Sequence, residues 1–131
     1  MADHPNATRI RQMFAAFRSA DLPTLQAMIP AHALWHFPGR HGKLAGDHQG
    51  RDAIFAFLLN VQGLTDHTFE LDLVDVIAND DNAVALFRGH ARRNGKTLDN
   101  PTCLRMRLEH GQVVEVWEFV WDLYHVDDFW S

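Results

Sequence analysis

The segment WHFPGRHGKLAGDHQG, residues 35–50, contains the densest cluster of histidines and glycines in the chain. Its three histidines are separated by five and seven residues, which matches neither the i, i+4 pair nor the Cys-His spacings of zinc sites. Gly42-Lys43 is followed by Leu44, whereas a phosphate-binding loop requires Ser or Thr at that position. We therefore expect no metal and no cofactor here, and we interpret the segment as a bend between a strand and a helix at a cavity mouth.

Glu118 is the strongest candidate for proton-transfer chemistry because it lies in an aromatic stretch, between Trp117 and Phe119. Counting strand alternation from the turn at Gly111 directs Glu118 inward. Burial disfavours a charged carboxylate, so an inward Glu118 would have a raised pKa and could act as a general acid or base. The opposite orientation, with Glu118 in solvent on a half-buried strand, stays open.

His36 and Asp122 are candidates for assisting residues. Histidine titrates near neutral pH, which suits acid–base work. Strand alternation places Trp35 and Phe37 on one face and His36 on the other, so His36 reaches a cavity only through a twist or a bulge. Otherwise we expect it to be half-buried and bonded to the backbone. Asp122 follows the last strand, where a role as helix N-cap is favoured over a catalytic one.

His90 and Asp99 are predicted to pair across a two-residue hairpin turn at Asn94-Gly95. An Asp that holds a His by one ring nitrogen is a recurring acid–base arrangement. The apolar residues of these strands, however, fall on the other face. We therefore expect His90–Asp99 to be an exposed cross-strand pair or part of a dimer contact.

The first half of the chain predicts three helices. The residues Ile10, Met13, Phe14 and Phe17 follow the i, i+3, i+4, i+7 spacing of one helical face, after Asn6 as the expected N-cap. The other elements predicted in this half are a short helix that starts at Asp21 and Pro23 and ends at Pro30, a strand over 32–37, and a helix over 51–61 with Ile54, Phe55, Leu58 and Val61 on its apolar face.

The second half predicts four antiparallel strands. The alternation of apolar residues shifts by one position near Leu73 or Val74, which indicates a β-bulge. Asn79–Asn82, Asn94-Gly95 and His110-Gly111 are predicted turns between the strands. The chain closes with DLYHVDDFWS as a short helix or an ordered tail.

This order predicts an α+β fold in which residues 1–131 form one domain, with a curved antiparallel or mixed sheet wrapped around three N-terminal helices. A bent sheet with helices on its concave face leaves a cone-shaped cavity, and such cavities are the usual ligand sites. The residues expected to line it, besides Glu118, are Phe14, Phe17, Trp35, Phe37, Phe55, Phe87, Leu104, Met106 and Trp117.

The composition excludes several classes of function. The chain carries a formal charge of −5 with no long basic run, which disfavours nucleic-acid binding. Cys103 is the single cysteine, so no disulfide framework is expected, and a reducing cytoplasm fits. No apolar run approaches the ~20 residues of a membrane span, and MADHPNATRIRQ lacks the apolar core of a signal peptide.

Three strings resemble the nuclear transport factor 2 superfamily, in particular its SnoaL-like polyketide cyclase and ketosteroid isomerase branches. They are FAAFRSADLPTLQAMI, WHFPG…LAGDHQGRDAIFAF and HGQVVEVWEFVWD, and the likeness covers nearly the whole chain. The resemblance implies a cone-shaped fold that often dimerises through the outer face of its sheet. It is only weakly specific for chemistry, because the superfamily contains isomerases, cyclases, hydrolases, dehydratases and non-enzymatic adaptors.

The resemblance to ketosteroid isomerases does not extend to their catalytic groups. The position of their general base, before the proline, is Phe37 here, and that of their oxyanion-hole tyrosine is Met13. Their second oxyanion donor falls near Cys103 or Leu104. Proton abstraction beside a carbonyl needs a base and a donor for the enolate oxygen, so these residues exclude that mechanism in its usual form.

Two other branches match in part. Limonene-type epoxide hydrolases carry an Arg and an Asp two apart on one strand, and an acid on the last strand. Arg88-Gly89-His90 has His in place of that Asp, and Glu118 falls at the last-strand acid, so the set is incomplete. SnoaL-like cyclases resemble this chain in a carboxylate at the strand end, here Asp122.

These observations leave two hypotheses. The first is a cofactor-free acid–base enzyme of isomerase, cyclase or hydratase type that binds a small apolar, polyketide- or terpenoid-like molecule, with Glu118 as the proton-transfer group and His36 or Asp122 assisting. The second is a non-catalytic ligand-binding or interaction module of the same fold. A homodimer fits both, and neither needs nucleic acid, membrane or metal.

Overall fold

The computed structural model of the protein describes residues 3–131. The helices are α1 (Pro5–Ser19), α2 (Leu22–Met28), α3 (Arg51–Gly63) and α4 (Leu123–Trp130), and the strands are β1 (Leu34–Phe37), β2 (Gly46–Gln49), β3 (Glu70–Ala78), β4 (Asn82–Arg93), β5 (Lys96–Glu109) and β6 (Gln112–Val120). The strands form one sheet in the order β2-β1-β6-β5-β4-β3. Among these six described strands, only β1 and β6 pair in parallel. The α+β prediction with a mixed sheet is confirmed.

Helix α1 begins at Pro5, one residue before the expected cap. Pro5 suits the first helical turn, where its missing N–H needs no partner, and the His4 ring accepts a hydrogen bond from the Asn6 N–H at 3.0 Å. The Asn6 side chain is buried and donates to the carbonyls of Asn79 and Asp80. It therefore fixes α1 to the β3–β4 turn, which explains why an asparagine lies there although it is not the cap.

Helix α3 presents a different aromatic residue to the core than the pattern predicted. Ile54, Phe57 and Val61 are buried, whereas Phe55 is only partly buried. At 100° per residue, Phe57 and Val61 lie within 60° of Ile54, and Phe55 lies 100° away on the flank. Phe57 contacts the rings of Trp35 and Phe37 at centroid distances of 5.4 and 5.5 Å.

The histidine- and glycine-rich segment contains a strand that the sequence did not predict. Strand β2 pairs with β1 in antiparallel register, and the intervening residues are organised by α4. The Asp127 carboxylate accepts hydrogen bonds from the backbone N–H groups of Arg40, His41 and Gly42 at 2.7–3.0 Å, and these bonds hold the Asp127 pKa below its usual value. At Gly39, φ is +111°, and a Cβ would overlap the Asp127 carboxylate.

The long strands follow the expected turns and register. Asn94 and Gly95 both have positive φ, as a two-residue hairpin turn requires, and they place His90 opposite Asp99. The predicted bulge on β3 is confirmed by a register shift between Leu73 and Asp75. A second shift, on β6, leaves Val114 without a partner.

Helix α4 closes one end of the sheet. The Asp122 side chain caps it by accepting from the His125 N–H at 3.1 Å. At its other end, the buried guanidinium of Arg93 donates to the carbonyls of Phe129 and Ser131. The closing segment is therefore an ordered helix with polar anchors at both ends.

Candidate active site

A cavity lies between the inner face of the sheet and the helices. The empty space of the cavity, counted out to its open mouth, is about 750 Å³. The part of it in which the centre of a water molecule can lie is about 80 Å³. A water needs only ~10–15 Å³ of such space, so the cavity has room for a small organic molecule. It is lined by Met13, Phe14, Phe17, Leu25, Ile29, Trp35, Phe37, Phe57, Leu58, Val61, Phe69, Leu71, Phe87, Gly89, Leu98, Asn100, Leu104, Glu118 and Trp130.

Glu118 is directed inward and is the one ionisable side chain of the lining that residues 3–131 form. It lies opposite Leu104 on β5. Burial disfavours the carboxylate and raises its pKa to about 7, although a hydrogen bond from Trp35 acts in the other direction. The residue keeps a fraction of accessible surface because it faces the cavity. Near neutral pH this carboxyl group can either donate or accept a proton.

Trp35 supplies the one hydrogen bond that the Glu118 side chain receives from residues 3–131. The indole Nε1 donates to Glu118 Oε1 at 3.1 Å, across the parallel β1–β6 pair in which Trp35 lies beside Val116. Because an indole N–H only donates, it favours the ionised carboxylate without adding charge. Phe57 packs on the same indole and fixes its orientation.

Asn100 is the second polar side chain of the lining. It is inward on β5, opposite Gly89 on β4, and is buried. Its Oδ1 has no hydrogen-bond partner within the described part of the chain. Buried polar groups are nearly always paired, so this amide is an exception that the fold itself does not explain.

His36 does not line the cavity, which corrects its predicted assisting role. It lies on the outer face, as strand alternation requires when Trp35 and Phe37 are inward. Its ring nitrogens lie 2.7 Å from both Asp47 on β2 and Glu115 on β6. The hydrogen bonds to Glu115 and Asp47 raise the His36 pKa despite partial burial. Its partners are thus carboxylates, not the backbone groups expected.

Asp122 is likewise outside the cavity lining. Its carboxylate accepts the His125 N–H at the start of α4, and the residue is exposed. This is the capping alternative that the sequence favoured, and it leaves Asp122 without access to a molecule in the cavity. The two expected assisting residues therefore flank the cavity on its outside.

Three residues expected to touch a ligand do not reach the cavity. Trp117 lies on the outer face, because Glu118 next to it is inward, and Arg105 sits 4.2 Å above its ring. Met106 shares the inner face with Leu104 but is completely buried in the closed part of the core. Phe55 lies on the flank of α3. The structure places the other predicted wall residues on the lining: Phe14, Phe17, Trp35, Phe37, Phe87 and Leu104.

Several lining residues had no prediction as wall residues. Phe57 could have been found from the helical phase of Ile54 and Val61, and Asn100 from its inward parity with Leu104. Phe69, Leu71 and Trp130 depend on the curvature of the sheet and the docking of α4, which no local pattern encodes. Among the isomerase positions, Met13, Phe37 and Leu104 all line the cavity as apolar side chains.

Residues 3–131 contain no group of three or more His, Cys, Asp or Glu side chains arranged to hold a metal ion. Within the same range, none of the helices combines the length and apolar character that crossing a bilayer requires.

His90 and Asp99 face each other on the outer side, but Asp99 binds Arg88 at 2.6 Å, and this bond lowers the Asp99 pKa.

Comparison with known proteins agrees with this architecture. Residues 10–116 match the family model of the SnoaL-like domain. An uncharacterized protein of Mycobacterium tuberculosis is 32% identical over 132 residues, which cover the whole of both chains. The structure of Bal32a, from a soil-derived mobile gene cassette, is 40% identical, covers 96% of each chain and has a TM-score of 0.91.

A more distant structure shares the fold alone. A putative SnoaL-like polyketide cyclase from Jannaschia sp. CCS1 is 18% identical, with a TM-score of 0.79 over 100% of this chain and 97% of its own. The family model covers residues 10–116, which is most of the chain, and the chain therefore belongs to the SnoaL-like domain family.

Proposed function

We propose that the protein binds a small, mostly apolar molecule in this cavity and that Glu118 transfers a proton to or from it without a cofactor. The observation that carries this proposal is the position of Glu118, the one ionisable group in an otherwise almost wholly apolar lining. A general acid or base is most effective when its pKa is near the working pH. Burial brings the Glu118 pKa to about 7, so both protonation states are populated at neutral pH.

The surroundings of Glu118 restrict the reaction class. Leu104 and Phe37 border this end of the cavity, and neither offers a donor for a developing oxyanion. The Trp35 N–H is engaged by Glu118 itself. A substrate that loses a proton here must therefore spread the resulting charge over its own atoms, as a conjugated polyketide-like or terpenoid-like molecule does. Isomerisation, cyclisation and hydration of such a substrate all need the proton transfer that Glu118 can perform.

The family supports this substrate class without establishing it. A structural neighbour bears the name putative SnoaL-like polyketide cyclase, and its identity to this chain is too low to transfer an activity. The aromatic lining suits flat, conjugated rings, because Phe14, Phe57 and Phe87 can pack on them in tilted or offset geometry.

The direct test is a substrate screen with the variant Glu118→Gln. Glutamine keeps the carbonyl acceptor for Trp35 but cannot transfer the proton. We expect turnover of a conjugated polyketide-like substrate to fall by at least about a hundredfold, the usual contribution of general acid–base catalysis. Glu70→Gln, an exposed acid on β3, is the matched control and should keep wild-type turnover. Unchanged turnover in Glu118→Gln would remove Glu118 from the mechanism.

A non-catalytic binding role is the second candidate, and the apolar character of the lining favours it. Beyond Glu118 and Asn100, the cavity offers few polar groups to act on a substrate. This alternative predicts that a ligand binds and is recovered unchanged, and that Glu118→Gln binds it as tightly as the wild type does. Analysis of the bound molecule by mass spectrometry after incubation separates the two functions.

We also propose that the protein forms a homodimer through the outer face of the sheet. Val74, Phe119 and Trp121 expose 70%, 57% and 86% of their surface there, and they border one shallow apolar groove together with Leu86 and Cys103. Exposed apolar patches of this kind mark interaction sites. Light scattering should give the dimer mass for the wild type and the monomer mass for a Phe119→Glu variant. A monomeric wild type would reject the proposal.

A further inference from the structure

Asn100 lies at the far end of the cavity from Glu118. Glu118 is opposite Leu104 on β5, and Asn100 precedes Leu104 by four residues on the same inward face. At about 3.3 Å per residue, the two positions are about 13 Å apart along the strand. Phe87 belongs to the lining between these two rows, whereas Thr102, which also faces inward there, is not part of the lining. The cavity therefore has one polar group near each end and an apolar middle.

Gly89 and Phe69 form the cavity lining beside Asn100. The partner of Asn100 across β4 and β5 is Gly89, which has no side chain and which itself lines the cavity. A Cβ at Gly89 would come within 3.3 Å of the Phe69 ring. The glycine thus lets Phe69 close over this end of the cavity, beside Asn100.

Within residues 3–131, the Asn100 amide has no partner that would account for its burial. The residue is 6% exposed, its Oδ1 is unpaired, and its neighbour Thr102 bonds the Asn100 backbone carbonyl instead of the side chain. Burying an amide without a hydrogen bond is unfavourable. A ligand that supplied the missing bond would recover this loss, whereas a purely apolar ligand would leave it in place.

We propose that Asn100 is a polar subsite that binds the hydroxyl or amide group of an elongated, otherwise apolar ligand whose other end lies at Glu118. This inference depends on the cavity being the ligand site, as in the proposed function, but not on catalysis by Glu118. An amide can both donate and accept, so a phenolic or alcoholic hydroxyl satisfies it in either role. Asn100 then sets the direction in which the ligand enters and the atoms that reach Glu118.

The test compares two rod-shaped probes that differ in one group, 4-hydroxybiphenyl and 4-methylbiphenyl. Isothermal titration calorimetry gives the ratio of the methyl-probe Kd to the hydroxyl-probe Kd for each protein, which cancels differences in general hydrophobicity. We expect the ratio to fall by about tenfold in Asn100→Leu, the effect of one buried hydrogen bond. Asn100→Ala, which cannot overpack the cavity, should show the same fall. Thermal unfolding confirms that both variants fold.

Two controls locate the effect. Thr102→Val removes the adjacent inward polar group, which is outside the cavity lining, and should keep the wild-type ratio. Glu118→Gln should also keep it, because the hydroxyl is held at the other end. A ratio that is unchanged in both Asn100 variants, or that falls only in Glu118→Gln, overturns the subsite while the proposed function stands. Failure of both probes to bind the wild type overturns the ligand site as well.

Discussion

Strands β1 and β6 form two hydrogen-bonded pairs that each contain a glutamate, one on each face of the sheet. A pKa is raised in each pair, but for a different physical reason. On the inner face, Trp35 donates to Glu118 at 3.1 Å. On the outer face, His36 lies 2.7 Å from Glu115. Each pair joins one residue of β1 to one of β6, and the two residues contributed by β1 are adjacent in sequence.

The difference between the pairs is the charge of the donor. The indole of Trp35 is neutral, so it offsets only part of the cost of burying a carboxylate, and the Glu118 pKa rises to about 7. The ring of His36 can become a cation between two carboxylates, and its pKa rises because the charged form is stabilised. Both pKa values therefore rise, but that of Glu118 rises because its charged form is destabilised and that of His36 because its charged form is stabilised. Only the inner group is poised for proton transfer in a cavity.

The largest expected effect is on stability and its pH dependence at Glu118. Because the folded pKa exceeds the ordinary 4.5, the native state binds more protons than the unfolded state between these values, and stability falls as the pH rises through them. A shift to about 7 corresponds to a loss of up to about 3 kcal/mol. Glu118→Gln lacks this loss. Urea unfolding should therefore show that the free energy of unfolding of the variant rises relative to that of the wild type between pH 5 and pH 8. A constant difference would contradict the burial argument.

The second largest expected effect is on the Glu118 pKa when the hydrogen bond from the neutral Trp35 indole is removed. Trp35→Phe removes the N–H that favours the ionised carboxylate, so the Glu118 pKa should rise above about 7, by on the order of one pH unit for one hydrogen bond to a charged group. Carbon-detected NMR titration of the Glu118 carboxyl measures it. Trp117→Phe, on the outer face, is the matched control and should leave that pKa unchanged. A downward shift in Trp35→Phe would show that the indole does not stabilise the carboxylate.

The smallest expected effect is on the stability that the outer pair, His36 and Glu115, contributes. The raised His36 pKa means that its contribution to stability is fully present below pH 6.5 and is lost as the pH rises through the folded value. His36 and Glu115 keep 28% and 23% of their side-chain surface exposed, so screening limits the effect to about 1 kcal/mol. His36→Gln should be less stable than the wild type at pH 6 and nearly equal at pH 9. An equal deficit at both pH values would exclude the charge of His36 as its cause.

The elements that depend on local pattern were predictable from the sequence. The hairpin at Asn94-Gly95 and the bulge near Leu73 follow from turn chemistry and a period of two. The inward position of Glu118 depends in addition on the register shift at Val114, because an unbroken register from the turn would place Glu118 opposite Cys103 on the outer face. Strand β2 was missed because GDHQ has no apolar alternation and pairs only as an edge strand beside β1. Its position depends on the loop that Asp127 holds from a distant helix.

The site was predictable only in part for the same reason. Trp117 and Glu118 are neighbours on one strand and cannot both face the cavity, so the parity argument that placed Glu118 inward already excluded Trp117. The carboxylate partners of His36 come from two other strands, and no spacing in the sequence brings them together. Asn100 has the inward parity of Leu104, but its missing partner is visible only in three dimensions.

The most direct test of the central claim is the pKa of Glu118 itself. An NMR titration of its side-chain carboxyl carbon in the wild-type protein should give a midpoint near 7, because burial disfavours the charged carboxylate. A midpoint near the ordinary 4.5 would show that the carboxylate is solvated, and it would remove the physical basis for a proton-transfer role.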